Sequence, residues 1–288
     1  PLQLPMQYEN SRAFAQQLDQ NDPLREFRSQ FYIPEKDGQP AIYFCGNSLG
    51  LQPKNTPQLI QEELEDWQRH AVEGHFEARR PWFKYHHFFK AAAPVVGALN
   101  SEVVLMNALT VNLHLMMVSF YRPNGKRTKI MMEAGAFPSD QYAVQSQLEW
   151  HGLNYEENVI EVAPREGEHT LRTEDIVAAI EENAEDLALV MFAGVNYYTG
   201  QWFDMPAITE AGHKAGALVG FDLAHAAGNV PMQLHDWNVD FAVWCTYKYL
   251  NSGPGSVSGV FVHEKHGNNP LLPRFAGWWG NDESTRFK

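Results

Sequence analysis

Cysteine is scarce in this chain. Cys45 and Cys245 are the only two in 288 residues, too few and too far apart for a disulfide framework or a cysteine zinc motif. Both are expected to be buried thiols in a reducing cytoplasm. Positive charge is also short: 22 Lys and Arg stand against 35 Asp and Glu, a formal charge of −13. A surface that acidic repels phosphate backbones, so no nucleic-acid and no anionic-membrane partner is expected, although a small anion can still be held locally. No apolar run approaches membrane-spanning length. Residues 1–10 lack a charged segment followed by an apolar core, so no signal peptide is expected.

What is present is ordinary globular composition, 44% apolar and 20% charged. Eight Trp, eleven Tyr and seventeen Phe can offset the entropy of ordering a chain, which excludes a disordered segment. Residues 1–45 read as an N-terminal arm, with short helical patterns over 11–18 and 22–31 and a turn at 36–40. Residues 41–44 read as a strand running into Gly46-Asn47-Ser48-Leu49-Gly50. Thr56-Pro57 predicts a helix start with Thr56 as the cap, and Leu59, Ile60, Leu64 and Trp67 follow at helical spacing. From residue 102 on, strands and helices alternate. Strands are expected at 102–107, 129–133, 159–162, 187–193, 218–222, 241–246 and 257–263. Helices are expected at 111–121, after Ser139-Asp140, at 173–183 and at 206–215. The pattern predicts an α/β fold of three layers, a mainly parallel sheet with helices on both faces, over 46–288. Ligands in such folds bind at the carboxyl ends of strands.

Those ends carry the chemistry. Lys248 closes the apolar stretch Phe241-Ala242-Val243-Trp244-Cys245. Burial there would lower its pKa and suit it to Schiff-base formation, although a lone lysine more often reaches the surface. Asp222 ends the preceding strand. A carboxylate in a parallel sheet is costly without a partner, and a protonated pyridine nitrogen would supply one. Capping a helix over 223–227 is the simpler alternative. His225 lies three residues on, either beside such a ring or on a helix surface. Leu109-Thr110 opens a helix whose N–H groups could take a phosphate, or Thr110 is a plain cap. Phe137 could stack on a ring or pack in the core, and Ser139 or Asp140 would cap the next helix.

Taken together, these segments resemble the fold-type-I pyridoxal phosphate enzymes and, more narrowly, the kynureninase family. The similarity runs from about residue 40 to the end. It includes Tyr43-Phe44-Cys45-Gly46-Asn47-Ser48-Leu49-Gly50-Leu51, Gly74-His75, Arg80-Pro81-Trp82, Asn107-Ala108-Leu109-Thr110-Val111-Asn112, the stretch from Glu133 to Asp140, Gly194-Val195-Asn196-Tyr197-Tyr198-Thr199-Gly200-Gln201, the stretch from Phe221 to Gly228, Tyr247-Lys248, and Gly277-Trp278. The cysteine desulfurases share the Asp, His and Lys but not the Gly-Asn-Ser-Leu-Gly or Tyr-Tyr-Thr-Gly-Gln segments.

The resemblance implies hydrolytic Cβ–Cγ cleavage of L-kynurenine or 3-hydroxykynurenine with pyridoxal 5'-phosphate as cofactor. It implies that Lys248 holds the cofactor and moves protons, with Tyr247 and Asp222 beside it in the catalytic set. Asp222 would pair with the pyridine nitrogen, Asp140 would be a second carboxylate nearby, and Phe137, followed by Pro138 and Ser139, would stack on the ring. Leu109 and Thr110, helped by Tyr247, would hold the phosphate, and His225 would lie beside the ring. Ser48 and His75 would shape the substrate pocket. Trp278 would reach the neighbouring subunit's site, which implies a homodimer.

Two departures stand out. Ala193 occupies a position where the family often has a hydroxyl residue. The family also continues past Lys288 into a small domain that supplies an arginine for the substrate α-carboxylate and an asparagine near the phosphate, so these 288 residues alone are expected to bind cofactor poorly. Arg79, Arg80 and Arg274 are available, although solvated surface charge is their simpler reading. Rival readings are an aminotransferase, a desulfurase, a protein that merely binds the cofactor, and a metal-dependent hydrolase prompted by twelve His. Neither cysteine suits a desulfurase nucleophile. The pairs His86-His87 and His263-x-x-His266 have no third ligand at useful sequence spacing, so no metal is expected.

Overall fold

The structure, a computed structural model, describes residues 7–280, 282, 284, 285 and 287. The first six residues of the arm lie outside the described residues. After them comes helix α1 (Arg12–Asn21), started by the Ser11 hydroxyl, which accepts from the Phe14 N–H at 3.2 Å. A 3-10 turn over Arg25–Gln30 replaces the second expected helix. The turn at 36–40 is a hairpin of β1 (Glu35–Lys36) and β2 (Gln39–Pro40). Its two central residues, Asp37 and Gly38, have φ of 53° and 71°, the left-handed pair that a two-residue hairpin requires.

Residues 41–44 form no strand. Ile42 and Phe44 are 85% and 89% exposed; the Ala41 N–H still donates to the Pro34 carbonyl at 2.7 Å beside the hairpin, but no ladder continues beyond it. The cap position of helix α2 (Thr56–His70) is Asn55, with no side-chain cap, rather than Thr56, and Pro57 lies in its first turn. Its apolar positions Leu59, Ile60, Leu64 and Trp67 are exposed. Its carboxylates bind the chain that returns through the short α3 (Gly74–Glu77): Arg79 meets Glu65 at 2.8 Å, and Arg80 meets Glu63 and Glu62 at 2.5 and 2.9 Å. Both arginines are therefore engaged away from the strand ends.

The main sheet has seven strands: β3 (Val103–Met106), β4 (Lys129–Glu133), β5 (Val159–Val162), β6 (Leu187–Ala193), β7 (Leu218–Asp222), β8 (Phe241–Trp244) and β9 (Ser258–Val262). Their order is β3-β9-β8-β7-β6-β4-β5. Only β9 runs against its neighbours, so β3, β4, β6, β7 and β8 all end at one edge. The helices are α4 (Leu109–Phe120), α5 (Pro138–Trp150), α6 (Tyr155–Asn158), α7 (Thr173–Glu182) and α8 (Met205–Lys214).

Strand alternation sorts the core into two layers. Leu189, Met191, Phe241 and Val243 join Leu113 and Met117 of α4 and Val144 and Leu148 of α5 on one face. Val190, Phe192, Ala242 and Trp244 join Ile176 and Ile180 of α7 and Met205 and Ile208 of α8 on the other. The three-layer α/β architecture expected from the sequence is the one formed. Each large apolar side chain buried in these layers contributes roughly 1.5–3 kcal/mol.

One buried carboxylate fastens the edge away from the strand ends. Asp240 accepts from the Val219 N–H at 2.7 Å, and from His213, Lys265 and His266 at 2.8 Å each. Burial alone would push Asp240 up, but these donors hold it well below the usual carboxylate range. Its stabilising share is therefore present above the unfolded value of about 3.9 and is lost as pH falls below it. Asp240→Ala should cost about 3–5 kcal/mol in a denaturant titration, because three cationic or polar partners lose their acceptor. A cost below about 1 kcal/mol would contradict a buried ionic hub.

Candidate active site

Lys248 reaches its place through a braced loop. Beyond Trp244, the Thr246 hydroxyl donates to the Val257 carbonyl at 2.6 Å, and the Ser252 hydroxyl donates back to Thr246 at 2.5 Å. The Gly46-Asn47-Ser48-Leu49-Gly50 segment lies on this loop. The Gly50 N–H donates to the Tyr247 carbonyl at 2.8 Å, and the Asn251 amide donates to the Leu51 carbonyl at 3.0 Å. A Cβ on residue 50 would stand 2.2 Å from the Lys248 carbonyl, so the approach needs glycine. The Lys248 ammonium lies 2.7 Å from His225 Nε2 and 5.8 Å from the Phe137 ring centroid. Burial, reinforced by the lysine's charge, pushes His225 down to about 4. Its imidazole is thus neutral at physiological pH and accepts from Lys248.

Three carboxyl groups converge opposite: Glu133 at the end of β4, Asp140 in the first turn of α5 and Asp222 at the end of β7, all buried. One Asp222 oxygen accepts from the Ala224 N–H at 2.7 Å, so the capping reading holds for that oxygen, although residues 223–227 form turns rather than a helix. Burial raises Asp222, and it raises Asp140 well above the usual range with the charge of Asp222 adding to the effect. Burial likewise pushes Glu133 up to about 7. Like charges this close cannot all ionise in a dry site, and Asp140 Oδ1 has no hydrogen-bond partner.

The N-termini of α4 and α5 complete the wall. The cap position of α4 is Ala108, with no side-chain cap, so Thr110 is not the cap. Phe137 occupies the cap position of α5, which corrects the expectation for Ser139 and Asp140. The Ser139 hydroxyl instead meets the Thr110 hydroxyl at 2.9 Å. Two hydroxyls and the free N–H groups of a helix start make an anion cup. Phe137 is partly exposed to the cavity and packs edge-on against Tyr197. Tyr247 is pushed up to about 12 by burial and then by the neighbouring Cys245, so it stays protonated.

One cavity of about 370 Å³ gathers these groups, a size typical of small-molecule sites. It is lined by Ser48, Leu109, Thr110, Phe137, Ser139, Asp140, Asp222, His225, Tyr247 and Lys248 among the residues singled out from the sequence. Pro138 stands at the α5 start just behind it. His75 does not line the cavity; it sits on α3, bonded to the Val72 carbonyl at 2.8 Å and ringed by Phe76, Trp82 and Phe83. Trp278 is likewise outside the cavity in this single chain, about half exposed. Asn47, Glu133, Ala193, Val195, Tyr197 and Ala224 also line the cavity and had no assigned role. For Glu133 the signal was available, since it ends an apolar strand just as Asp222 does.

The remaining expectations divide. Cys245 is buried, but Cys45 is exposed, because the segment carrying it is not a strand. His263 and His266 turn apart, the latter to Asp240. The fold does bring Glu102, His235 and His263 together, with ligand-type atoms within 4.8 Å of one another, a grouping invisible in sequence spacing. Their lone pairs are already used: Glu102 accepts from His235 at 2.9 Å and from the Leu99 and Glu264 N–H groups at 2.8 Å, and His263 Nδ1 accepts from the Lys265 N–H at 3.1 Å. This is a hydrogen-bonded staple. Arg274 lines a separate small cleft with Arg122, Trp150 and His151.

Residues 42–273 match the Aminotransferase class-V family. The chain is 59% identical to a kynureninase of Flavobacterium johnsoniae over 98% of its own length and 67% of that protein's. It is 59% identical to one of Myxococcus xanthus over 99% and 67%, and 56% identical to one of Nematostella vectensis over 96% and 63%. It thus spans about two thirds of the length of these relatives. Among solved structures, a cysteine desulfurase of Thermococcus onnurineus NA1 superposes with a TM-score of 0.60 at 19% identity, over 78% of this chain and 54% of that one. The cystine C–S lyase C-DES does so with 0.66 at 16%, over 82% and 60%; at such identities they speak for the fold alone. With the fold, the lysine-centred cavity and the identity to these relatives in agreement, the chain belongs to the kynureninase family of the class-V aminotransferases.

Proposed function

We propose that the cavity holds pyridoxal 5'-phosphate on Lys248. With it the protein cleaves the Cβ–Cγ bond of L-kynurenine, or of 3-hydroxykynurenine, with water, releasing anthranilate or 3-hydroxyanthranilate and L-alanine. The observation that carries this reading is the meeting in one cavity of the Lys248 amine, a buried carboxylate cluster with an unpartnered oxygen, and an anion cup at the α4 start. An amine for an aldehyde, a carboxylate for a ring nitrogen and a cup for a phosphate are what this cofactor requires. Once bound, the cofactor supplies the electron sink for carbanionic charge on the substrate.

The chain's own residues do the rest. Asp222 would keep the ring nitrogen protonated, with Asp140, which burial holds protonated, beside it. Phe137 covers one ring face. Leu109, Thr110, Ser139 and the α4 N–H groups orient the phosphate. His225 fixes the Lys248 amine, which takes up the substrate's α-proton. Tyr247, protonated up to about pH 12, serves as a proton donor rather than a base. Ser48 lies at the substrate side, with Asn47 and Tyr197 beside it. His75 and Trp278 act from outside the single-chain cavity, Trp278 in a homodimer with shared sites. Residues 1–45 form the arm of a cytoplasmic enzyme and 46–288 its cofactor-binding domain; among the described residues no helix is long and apolar enough to cross a membrane.

Anthranilate release by the full-length protein, dependent on added cofactor, tests the reaction; release of alanine without the aryl product, or no release at all, contradicts it. Ser48→Ala should change the ratio of kcat/KM for the two kynurenines more than it changes cofactor affinity. An unchanged ratio with weakened cofactor binding would move Ser48 from the substrate side to the cofactor side.

A further inference from the structure

Glu133 is a charged residue that the mechanism above does not use. It is nearly fully buried and forms part of the cavity wall. Its Oε2 accepts from the Ala193 N–H at 3.2 Å. Ala193 ends β6 in register with Asp222 of β7, and the Gly194 N–H donates to the Asp222 carbonyl at 2.8 Å. Three strand ends are thereby tied in a row, with Glu133 at one end and Asp222 at the other. Asn196, in the loop after β6, shares a small cleft with Glu133, and its Oδ1 accepts from the Tyr198 and Thr199 N–H groups at 3.0 Å. Ala193 brings no polar side chain to this wall, so Glu133 supplies it.

We infer that Glu133 is a positioning residue for the reaction: it ties the end of β6 behind the ring site and, by gaining or losing a proton, sets the charge that Asp222 works against. The groups facing it across the cavity are Asp222 from β7, Asp140 from α5, and Lys248 and His225 from the loops after β8 and β7. Two of these are acids and one is a neutral imidazole, so within the cavity Lys248 is the cation that faces a second negative charge, and on the other side of Glu133 His169 shares a small cleft with it. A proton on Glu133 leaves Asp222 as the dominant anion at the ring nitrogen. Its loss adds a like charge beside the buried Asp222, which loosens the fold and raises the proton affinity of whatever Asp222 holds.

The role at the ring presupposes the cofactor proposed above; the protonation half does not, and the two are measured separately. Burial holds the folded Glu133 carboxyl near 7, above its unfolded value of about 4.3. The folded protein thus keeps a proton that the unfolded chain gives up, and stability from this group is lost as pH rises through that window. Thermal midpoints of cofactor-free, full-length wild type and Glu133→Gln are compared from pH 5 to pH 8. The glutamine variant, which cannot ionise, should gain several degrees on wild type across that range. Parallel profiles overturn the inference. If Glu133→Gln does not fold, Glu133→Ala, which likewise cannot ionise, takes its place, and a profile parallel to that of wild type contradicts the inference.

The positioning half is read from cofactor affinity. Glu133→Ala should bind pyridoxal 5'-phosphate about tenfold more weakly, the loss of one buried hydrogen-bond anchor. Glu133→Gln should recover most of that, because it keeps an acceptor for the Ala193 N–H. Equal affinity in Glu133→Ala and wild type overturns the positioning role. Absence of binding even in wild type defeats the cofactor reading instead and leaves the stability comparison to judge Glu133.

Discussion

Lys248→Ala is expected to abolish the visible absorbance that the cofactor acquires when joined to a lysine, and with it all turnover of kynurenine. Among the described residues Lys248 is the only lysine lining the cavity, and its amine is held at 2.7 Å from a neutral imidazole and within 6 Å of the Phe137 ring. His225, Asp222 and Tyr247 would remain, but none can form the same covalent link or stand in for the amine at the substrate's α-proton. Loss of a nucleophile that also moves protons typically removes nearly the whole enzymatic rate. The variant is expected to fold, since the Lys248 side chain makes its contacts in the cavity rather than in either core layer. An alanine variant that still turns over kynurenine would remove Lys248 from the mechanism.

Asp222→Ala should lower kcat by at least about 100-fold, equivalent to ~2.7 kcal/mol of transition-state stabilisation. Without the carboxylate the ring nitrogen has no anionic partner aligned with it, and an unprotonated ring draws electrons poorly. Asp140 cannot simply take over, because burial holds its proton and its position is fixed by α5. Asp222→Asn separates two roles: it keeps an acceptor for the Ala224 N–H but carries no charge. If asparagine restores near-normal rates, Asp222 is a turn cap and not the partner of a cofactor.

Much of this was legible because parallel strands impose a strong pattern. Strands β4, β5, β6 and β7 begin and end where apolar runs do, and their shared edge gathers Asp222, His225, Tyr247 and Lys248. What failed did so for identifiable reasons. Residues 41–44 are apolar and strand-like in composition, but pairing is a tertiary event, and beyond the Ala41 N–H bond to Pro34 the segment joins no strand. The caps were misplaced at Thr56, Thr110, Ser139 and Asp140 because these polar side chains found other partners or because the turn before them began the helix earlier. Glu133 and Asn47 reach the cavity through strand register and loop docking, and the Glu102, His235 and His263 cluster joins residues more than a hundred positions apart. His75 and Trp278 were assigned by resemblance, and a single chain does not bring them to the cavity.

The most direct measurement is to reduce the full-length protein, saturated with pyridoxal 5'-phosphate, with borohydride, and to map the modified peptide by mass spectrometry. The account predicts one pyridoxyl group per chain, on Lys248, with labelling lost in Lys248→Ala. A label on any other lysine, or no stable label at all in protein that still cleaves kynurenine, would contradict it.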